Sequence, residues 1–545
     1  MRRVTRTLTG AALALSMLAA ACGDDSDNGS AGDTTAATAA ATTTGGSSGA
    51  TTAAASTAPK DVDTAGVLKL PFDLQANGGP SFDPAKPTPP SPQTSYAIML
   101  YDTLLRPDKD GKLNPGLAKS ATIVDPSTIK IELFPNIKFS DGTPLDAAAA
   151  KFGIERNRDG KSTTLSAELQ EISEITVDSP TAFTMKLKTP IAGAVYDLLG
   201  HGDFLIVSPT AVKAGVDFTK APVGAGPFKL SSVTPGQVVK YVKNPDYFQA
   251  DKIRLAGVEW YHVTAGPTLI NALRAGDIDV AEGITYTQAN GLSGGNVVTE
   301  LEAGDNVMLW GQMCKSRPPF DNLKVRQALN YGIDRTALNN TFYGGKGEPM
   351  WGFWGSKSPL HSKAVDDYYK YDPTKAKQLL AEAGASNLSF DMFFTPGVSD
   401  AAAEIVQRQW ADIGVKVNIK PLTAGADFFP DAKAAPINFF PLERTGIQKV
   451  ARVLVPGSVG NVCNWDDPDL NGLVAKIKSV APDSKEAVQY WADLQKLVLD
   501  KAMNLFGIFG VRAKAYLNNR VGNPSFMVNF QGRPTVDYYN VYIKK

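Results

Sequence analysis

The chain has 545 residues, 43% of them hydrophobic, about twice the length at which one apolar core stops growing, so it divides into two or more domains. Lys plus Arg and Asp plus Glu number 55 each, and the formal net charge is zero. No global field draws in nucleic acid or an anionic membrane, which argues against nucleic-acid binding.

At the N-terminus, Arg2, Arg3 and Arg6 form a basic head and Leu8 to Ala21 an apolar segment too short to span a bilayer. Residues 1–21 therefore read as an export signal. Ala19-Ala20-Ala21-Cys22-Gly23 resembles a bacterial lipobox, in which the cysteine is acylated and becomes the first residue of the mature protein. The alternative is a plain secretory signal with an incidental cysteine. Residues 24–60 are almost wholly Ala, Thr, Ser, Gly and Asp and cannot bury enough to offset their ordering entropy. Residues 22–60 are thus expected to be a lipid-anchored, disordered linker holding the body on the order of 35 Å from its anchor.

The body begins near Val62. Gly66 to Phe72 reads as a short strand and Tyr96 to Leu105 as an amphipathic stretch. Asp108-Lys-Asp-Gly111 is read as a solvent-facing turn, because an EF-hand needs a bidentate Glu further on and Asn114-Pro115 follows instead. Thr128 to Leu133 alternates like a strand. Phe139-Ser-Asp-Gly-Thr-Pro144 turns it into a helix starting near Asp146, with Asp141 and Gly142 supplying the turn. Ile172 to Val177 and Ala182 to Leu187 read as a hairpin around Asp178-Ser-Pro. The glycine-rich Pro222–Phe228 stretch lacks the Lys-Ser/Thr of a phosphate loop and reads as a backbone turn. Val258 to Val263 as a strand, Thr268 to Arg274 as a helix and Gly276 to Val280 as a strand suggest an α/β layer.

Further on, Val307 to Met313 reads as a strand that Arg317, Pro318 and Pro319 stop. Asp321 is the expected N-cap of a helix whose buried stripe is Val325, Leu329 and Ile333. Trp351, Phe353 and Trp354 make the next loop too apolar for plain solvent exposure. Asp372-Pro373 caps a helix ending at Gly384, Ala401 to Ile413 is a second helix, and Val415 to Ile419 is a strand. Helices over Asp467 to Val480 and Ser484 to Leu505 lead to a strand at Ile508 to Val511.

These blocks carry a resemblance. Ser81-Phe-Asp-Pro84, Lys138-Phe-Ser-Asp-Gly-Thr-Pro144, Pro222-Val-Gly-Ala-Gly-Pro-Phe228, Asn244-Pro-Asp-Tyr-Phe248, Pro319-Phe-Asp321 with Val325-Arg-Gln-Ala-Leu329 and Ile333-Asp-Arg335, and Ile413-Gly-Val-Lys-Val417 occur in one order. That order resembles the family 5 extracellular solute-binding proteins of bacterial ABC importers, which take up peptides, nickel complexes and other solutes. The likeness covers about residues 65–530. It implies an α/β, two-lobed periplasmic-binding-protein-like (Venus flytrap) fold of the large type. Lobe one would be residues 61–303 with an extra subdomain at about 98–220, lobe two residues 304–505, and 506–545 a return to lobe one. The hinge would lie near Val307–Gln312 and Leu505–Gly510. The implied role is an extracytoplasmic lipoprotein, anchored through Cys22, that captures a peptide or other small organic molecule as a monomer. It would deliver that solute to an ABC permease and its ATPase subunits, without enzyme activity or cofactor.

Trp310, Trp351, Trp354, Phe440 and Trp465 are candidate aromatic walls, with Gln312 and Asn464 as candidate polar contacts. Peptide-binding family members commonly carry a Trp-x-x-Asp-Tyr-x-Asp-Pro loop whose carboxylate grips an α-amine. Residues 438–456 here lack that acid, and Arg444 stands there with Lys449 and Arg452. They suit a carboxylate-bearing ligand or are solvated rim charges. With Cys22 assigned to lipid, Cys314 and Cys463 remain as an even pair in an exported chain. A disulfide is expected within lobe two, the alternative being two buried free thiols. His201, His262 and His361 are too widely spaced for an HExxH zinc site, and residues 45–49 and 291–295 spell G-x-S-x-G without a nucleophile elbow, so neither metal nor catalytic residues are expected. Two other roles remain open: a secreted hydrolase with an unrecognised active site, and a surface receptor that binds without transport.

Overall fold

A computed structural model describes residues 59–72, 81–86, 93–160, 167–292, 294–396, 399–423, 432–443, 446–458, 460–528 and 534–545. The export signal, Cys22, the linker up to residue 58, the 45–49 G-x-S-x-G and Arg444 lie outside these residues.

The first sheet has the order Val67–Phe72, Gly257–His262, Val238–Lys243, Phe228–Thr234, parallel at its first pair and antiparallel afterwards. A second, antiparallel sheet runs Ala118–Asp125, Thr128–Leu133, Ala182–Leu187, Ile172–Ser179. In it Ile129, Ile131 and Leu133 are buried while Lys130 is exposed, the period-2 alternation of a one-sided core. Asp146 caps the following helix, Ala147–Asp159, by accepting from Ala149 N, and Gly142 takes φ 83° in the turn before it. From that helix Arg156 reaches back to both carboxylate oxygens of Asp83 at 2.7 and 2.8 Å. The Ser-Phe-Asp-Pro block is thereby tied to the subdomain that follows it.

The third sheet joins the rest. Its path runs Val280–Ile284, Asn504–Leu517, Val297–Met313, Ile437–Glu443, Ser389–Phe394, Lys416–Pro421. Val280–Ile284 pairs only with the C-terminal half of Asn504–Leu517, whereas Ile437–Glu443 pairs with the C-terminal half of Val297–Met313. The two long antiparallel strands thus pass from one body to another. Their ladder shifts register twice, once at Gly507, between Leu309 facing Ile508 and Trp310 facing Phe506, and once as a wider break between the bodies: Ala303 faces Val511 and Met308 faces Phe509, so residues 304–307 stand opposite Gly510 alone. The apolar cores sort accordingly. Clusters centred on Trp260 and Tyr538, on Phe139 and Phe183, and on Leu273 and Ala515 lie on one side of the break. Clusters centred on Trp410 and Phe439 and on Trp310, Trp465 and Trp491 lie on the other. We refer to the two sides as lobe one and lobe two.

At its start Asn504–Leu517 is paired along one edge, Asn504 with Gln312 and Phe506 with Trp310, and carbonyls on its other edge need partners of their own. There the carbonyls of Ala502, Asn504 and Phe506 are met by Arg326 Nε at 3.1 Å, Asn330 Nδ2 at 3.1 Å and Arg335 Nε at 2.9 Å. These donors recur along the Val-Arg-x-Ala-Leu…Ile-Asp-Arg stretch at the spacing of alternate strand residues. Arg335 also donates to Asn330 O, Ile333 O and Tyr369 O, and burial lowers its guanidinium to about 9, still charged at neutral pH.

Several sequence expectations shift. The crossing strand is 17 residues long, Val297–Met313, and its partner 14, Asn504–Leu517, because the ladder continues through both lobes. The helix after the proline corner is capped by Asn322 rather than Asp321 and stops at Tyr331. Asp334 then caps a separate helix, Arg335–Tyr343, although Ile333 between them is still buried. Gly276 is a left-handed C-cap with φ 78°, so the strand placed at Gly276–Val280 begins instead at Val280. The last helix ends at Asp500, where Lys501 and Ala502 close it ahead of the strand.

Cys314 and Cys463 have their sulfurs at 1.95 Å, across a separation of 149 residues. Removing a link across so long a loop costs about 2–5 kcal/mol in the chain-entropy picture. Thiol titration of the denatured, unreduced mature protein is expected to find no reactive thiol from this pair, and two would contradict the bridge. Arg335→Met leaves the Phe506 and Tyr369 carbonyls unmet and is expected to lower stability by on the order of 3 kcal/mol in urea unfolding.

Candidate ligand-binding site

The lobes meet at more than the crossing strands. Helix Ala192–Leu198 of the first lobe's subdomain packs on helix Pro468–Ser479 of lobe two. At Gly193 an added Cβ would lie 1.9 Å from Val480 O, so the contact is backbone against backbone. Ala194 from the same helix is counted in the apolar cluster of Trp310 and Trp491. Lys478 Nζ reaches Glu168 at 3.1 Å, and Asp197 accepts from the Ile447 N–H. A Cβ at Gly446, itself at φ 51°, would stand 2.4 Å from Asp197 Oδ2. Burial raises the Asp197 carboxyl to about 7, the Ile447 hydrogen bond offsetting it only in part.

The expected aromatic walls divide by depth. Trp310 is fully buried, with Phe353 and Phe440 edge-on at 6.3 and 6.2 Å. Trp465 is also buried, its indole N–H donating to Met313 O at 3.2 Å, and Lys315 Nζ sits over its ring at 4.8 Å. Gln312 is buried too and donates to Val453 O and Gly460 O, which makes it a fastener of the loop over the sheet. Trp354 packs edge-on against Trp491 at 5.1 Å under Lys449 Nζ, which donates to Phe353 O. Lys449 is therefore a core cation rather than a rim charge. Trp351 is half-buried beneath the Arg335 guanidinium at 4.8 Å. Asn464 is exposed in the left-handed region at φ 48°, beside the Cys314–Cys463 link. The indole nitrogens of Trp310 and Trp354 are buried without a hydrogen-bond partner among the described residues.

The three histidines lie apart. Burial lowers His201 to about 3, leaving it neutral, and His361 is held by Asp366 at 3.0 Å and Trp354 O at 3.1 Å. Among the described residues no three His, Cys, Asp or Glu side chains gather as a metal site would need. An open groove of about 500 Å³ runs between helices Pro468–Ser479 and Lys485–Asp500, lined by Leu473, Lys476, Asp493 and Lys496. It lies away from the crossing strands. Two groups went unnoticed in the sequence. Asp197 and Glu282 are acids inside apolar stretches, Val195–Leu198 and Val280–Ile284, and a charge at such a position was the available signal.

Residues 112–441 match the family model described as bacterial extracellular solute-binding proteins, family 5 Middle. The glutathione-binding protein GsiB of Shigella flexneri serotype 5b (strain 8401) is 32% identical over 365 residues, 65% of this chain and 70% of that protein. Among solved structures, the ABC transporter substrate-binding protein CtaP from Listeria monocytogenes superposes with a TM-score of 0.74 at 22% identity, covering 89% of this chain and all of that one (100%). AgaA from A. tumefaciens R10, in complex with agropinic acid, gives 0.70 at 25% identity over 88% of this chain and 99% of that one.

An acid whose folded pKa exceeds its unfolded value keeps its proton longer when folded, so the Asp197 contribution to stability falls as pH rises from about 4 to about 7. Asp197→Asn removes that loss, and its urea midpoint is expected to gain on the parent between pH 5 and pH 8. Gly193→Val drives a side chain into Val480 O and is expected to part the seam, seen as a larger radius of gyration in small-angle scattering.

Proposed function

The chain belongs to the bacterial extracellular solute-binding proteins of family 5, and we propose that it captures a peptide or another small organic solute between its lobes and hands it to the permease of an ABC importer. The observation that supports this is the pair of strands crossing between two separately cored lobes, with the wider of the two register shifts in their ladder at residues 304–307 and Gly510. Two rigid bodies joined so can close on a guest, and the guest holds them closed because only that form offers both sets of contacts. No chemistry on the solute is part of this role.

In this reading residues 61–303 and 506–545 form lobe one, with the subdomain at about 98–220, and residues 304–505 form lobe two. Cys22 carries the lipid, residues 22–60 are the tether, and the exported protein holds the Cys314–Cys463 bridge. Of the expected contacts among the described residues, Asn464 faces the solute, while Trp310, Gln312, Phe440, Trp354 and Trp465 stiffen the wall behind it. GsiB is named for glutathione, and the AgaA structure holds agropinic acid. A solute of that class, a small peptide or an amino-acid-derived organic acid, is the ligand proposed here.

Native mass spectrometry of the protein released from its own host's envelope is expected to show a bound small organic molecule. Stripping that molecule should lower the melting temperature, and adding it back should shrink the radius of gyration. Scattering curves that superimpose with and without it, or chemical conversion of it by the purified protein, would overturn the proposal.

A further inference from the structure

The seam between helix Ala192–Leu198 and lobe two holds one acid in a gap that only a glycine leaves open. Asp197 is half-buried, and a Cβ on Gly446 would stand 2.4 Å from its Oδ2 and 3.3 Å from its Cγ. The Ile447 N–H of lobe two donates to the same carboxylate. An acid of one lobe thus meets the bare backbone of the other. One neutral N–H is short compensation for a charge drawn out of water.

The other charged groups around this helix are engaged elsewhere. From lobe two, Lys478 pairs with Glu168, Lys476 lies over the Tyr490 ring at 5.6 Å, and Lys449 donates to Phe353 O. Asp483, on the loop after helix Pro468–Ser479, acts on the Tyr196 phenol, as Asp197 itself does. On the lobe-one side Glu171 accepts from Thr189 Oγ1, Asp125 accepts from Ser127 N, Lys119 pairs with Glu132, and Lys130 is exposed. Asp203 also has a partner, and His201 is neutral. The side chains of Arg444 and Arg452 lie outside the described residues. Among the described residues, then, the Ile447 N–H alone offsets the burial of Asp197, and the carboxyl sits at about 7.

Parting the lobes returns Asp197 to water, where an aspartate titrates at about 4. Between the two values the closed form binds a proton that the open form has released. The advantage of the closed form is therefore full below about 4 and is lost as pH rises through about 7.

We propose that the lobes close with uptake of one proton by Asp197, so that the solute is held more firmly in an acid medium and let go as the medium turns alkaline. The proton comes from the solvent and takes no part in any reaction of the solute. The inference rests on the solute-capture reading and adds a regulator to it: retention follows the acidity of the medium through a residue of the seam. A carboxyl moving from about 4 to about 7 sets a ceiling of about a thousandfold on the effect, and the part of Asp197 still open to water lowers it.

Protein purified from its native host is dialysed at pH 5 and at pH 8, and the co-purified solute that remains is counted by native mass spectrometry. Small-angle scattering is then recorded on the stripped protein at both pH values. The wild type is expected to keep at least about tenfold more solute at pH 5, and its stripped form to have the larger radius of gyration at pH 8. Asp197→Asn is expected to keep solute equally at both, with one radius, and Asp197→Ser carries the same test should that variant fail to fold. Lys478→Met, which breaks the neighbouring ion pair, is expected to weaken retention at both pH values and to preserve their ratio. Equal retention by the wild type, an unchanged ratio in the Asp197 variants, or a ratio lost in Lys478→Met overturns the proton assignment while solute capture stands. Wild-type protein that carries no solute at either pH overturns both.

Discussion

The structure depends on one antiparallel ladder, Val297–Met313 against Asn504–Leu517, that both lobes share. A strand that leaves one body to enter another exposes backbone donors and acceptors along the way, and each must find a partner or stay wet. At the lobe-two end Arg326, Asn330 and Arg335 supply them, at the carbonyls of Ala502, Asn504 and Phe506. At the lobe-one end Asp279 does comparable work. Its carboxylate takes Lys69 N at 2.8 Å and Arg520 Nε at 2.6 Å, and its own carbonyl takes Leu517 N at 3.0 Å. The returning strand is thus fastened by side chains at its lobe-two end and by the Asp279 carbonyl at its lobe-one end, and the wider break in its ladder lies between them. A stretch short of ladder hydrogen bonds opens at lower cost than the paired strand on either side of it.

The subdomain carries one of the places where the two sides meet. The seam at Gly193, Glu168 and Asp197 is such a meeting place, and it is built for close approach: glycine against a carbonyl, a part-buried ion pair, and a carboxylate on a backbone N–H. None of these contacts requires a solute. Contacts between lobes that form without a guest lower the cost of closing, so the affinity of the site is set partly by residues that never touch the ligand.

Lobe two resolves its aromatic residues in a way that composition cannot. Trp310, Trp465 and Trp491 are interior, held edge to face or by an indole hydrogen bond, whereas Trp351 is half exposed under a guanidinium. A large apolar side chain in a loop signals that something covers it, but core and cleft wall satisfy that demand equally. The same ambiguity attends Lys449, read as a contact for an anionic ligand or a rim cation beside Arg452 and found buried over Trp354.

By itself the sequence determined the local pieces: the Asp372 cap, the helix starts near Asp146 and Ser484, the Asp141-Gly142 turn, the alternating strands of the subdomain and the order of family motifs. These are set by residues within a few positions of one another, so spacing reveals them. Boundaries that depend on distant partners moved. The crossing strand gained ten residues at its start because Val511–Leu517 continues its ladder, and the strand after Gly276 slid to Val280 because that glycine closes a helix. Only the tertiary structure decided which tryptophans lie inside, that residues 326–335 clamp a strand some 170 positions away, and that Glu282 lies close enough to Tyr538 to act on its hydroxyl. Such facts are relations between segments far apart in the chain, and the energy that selects them, burial with every polar atom accounted for, exists only once the segments have met.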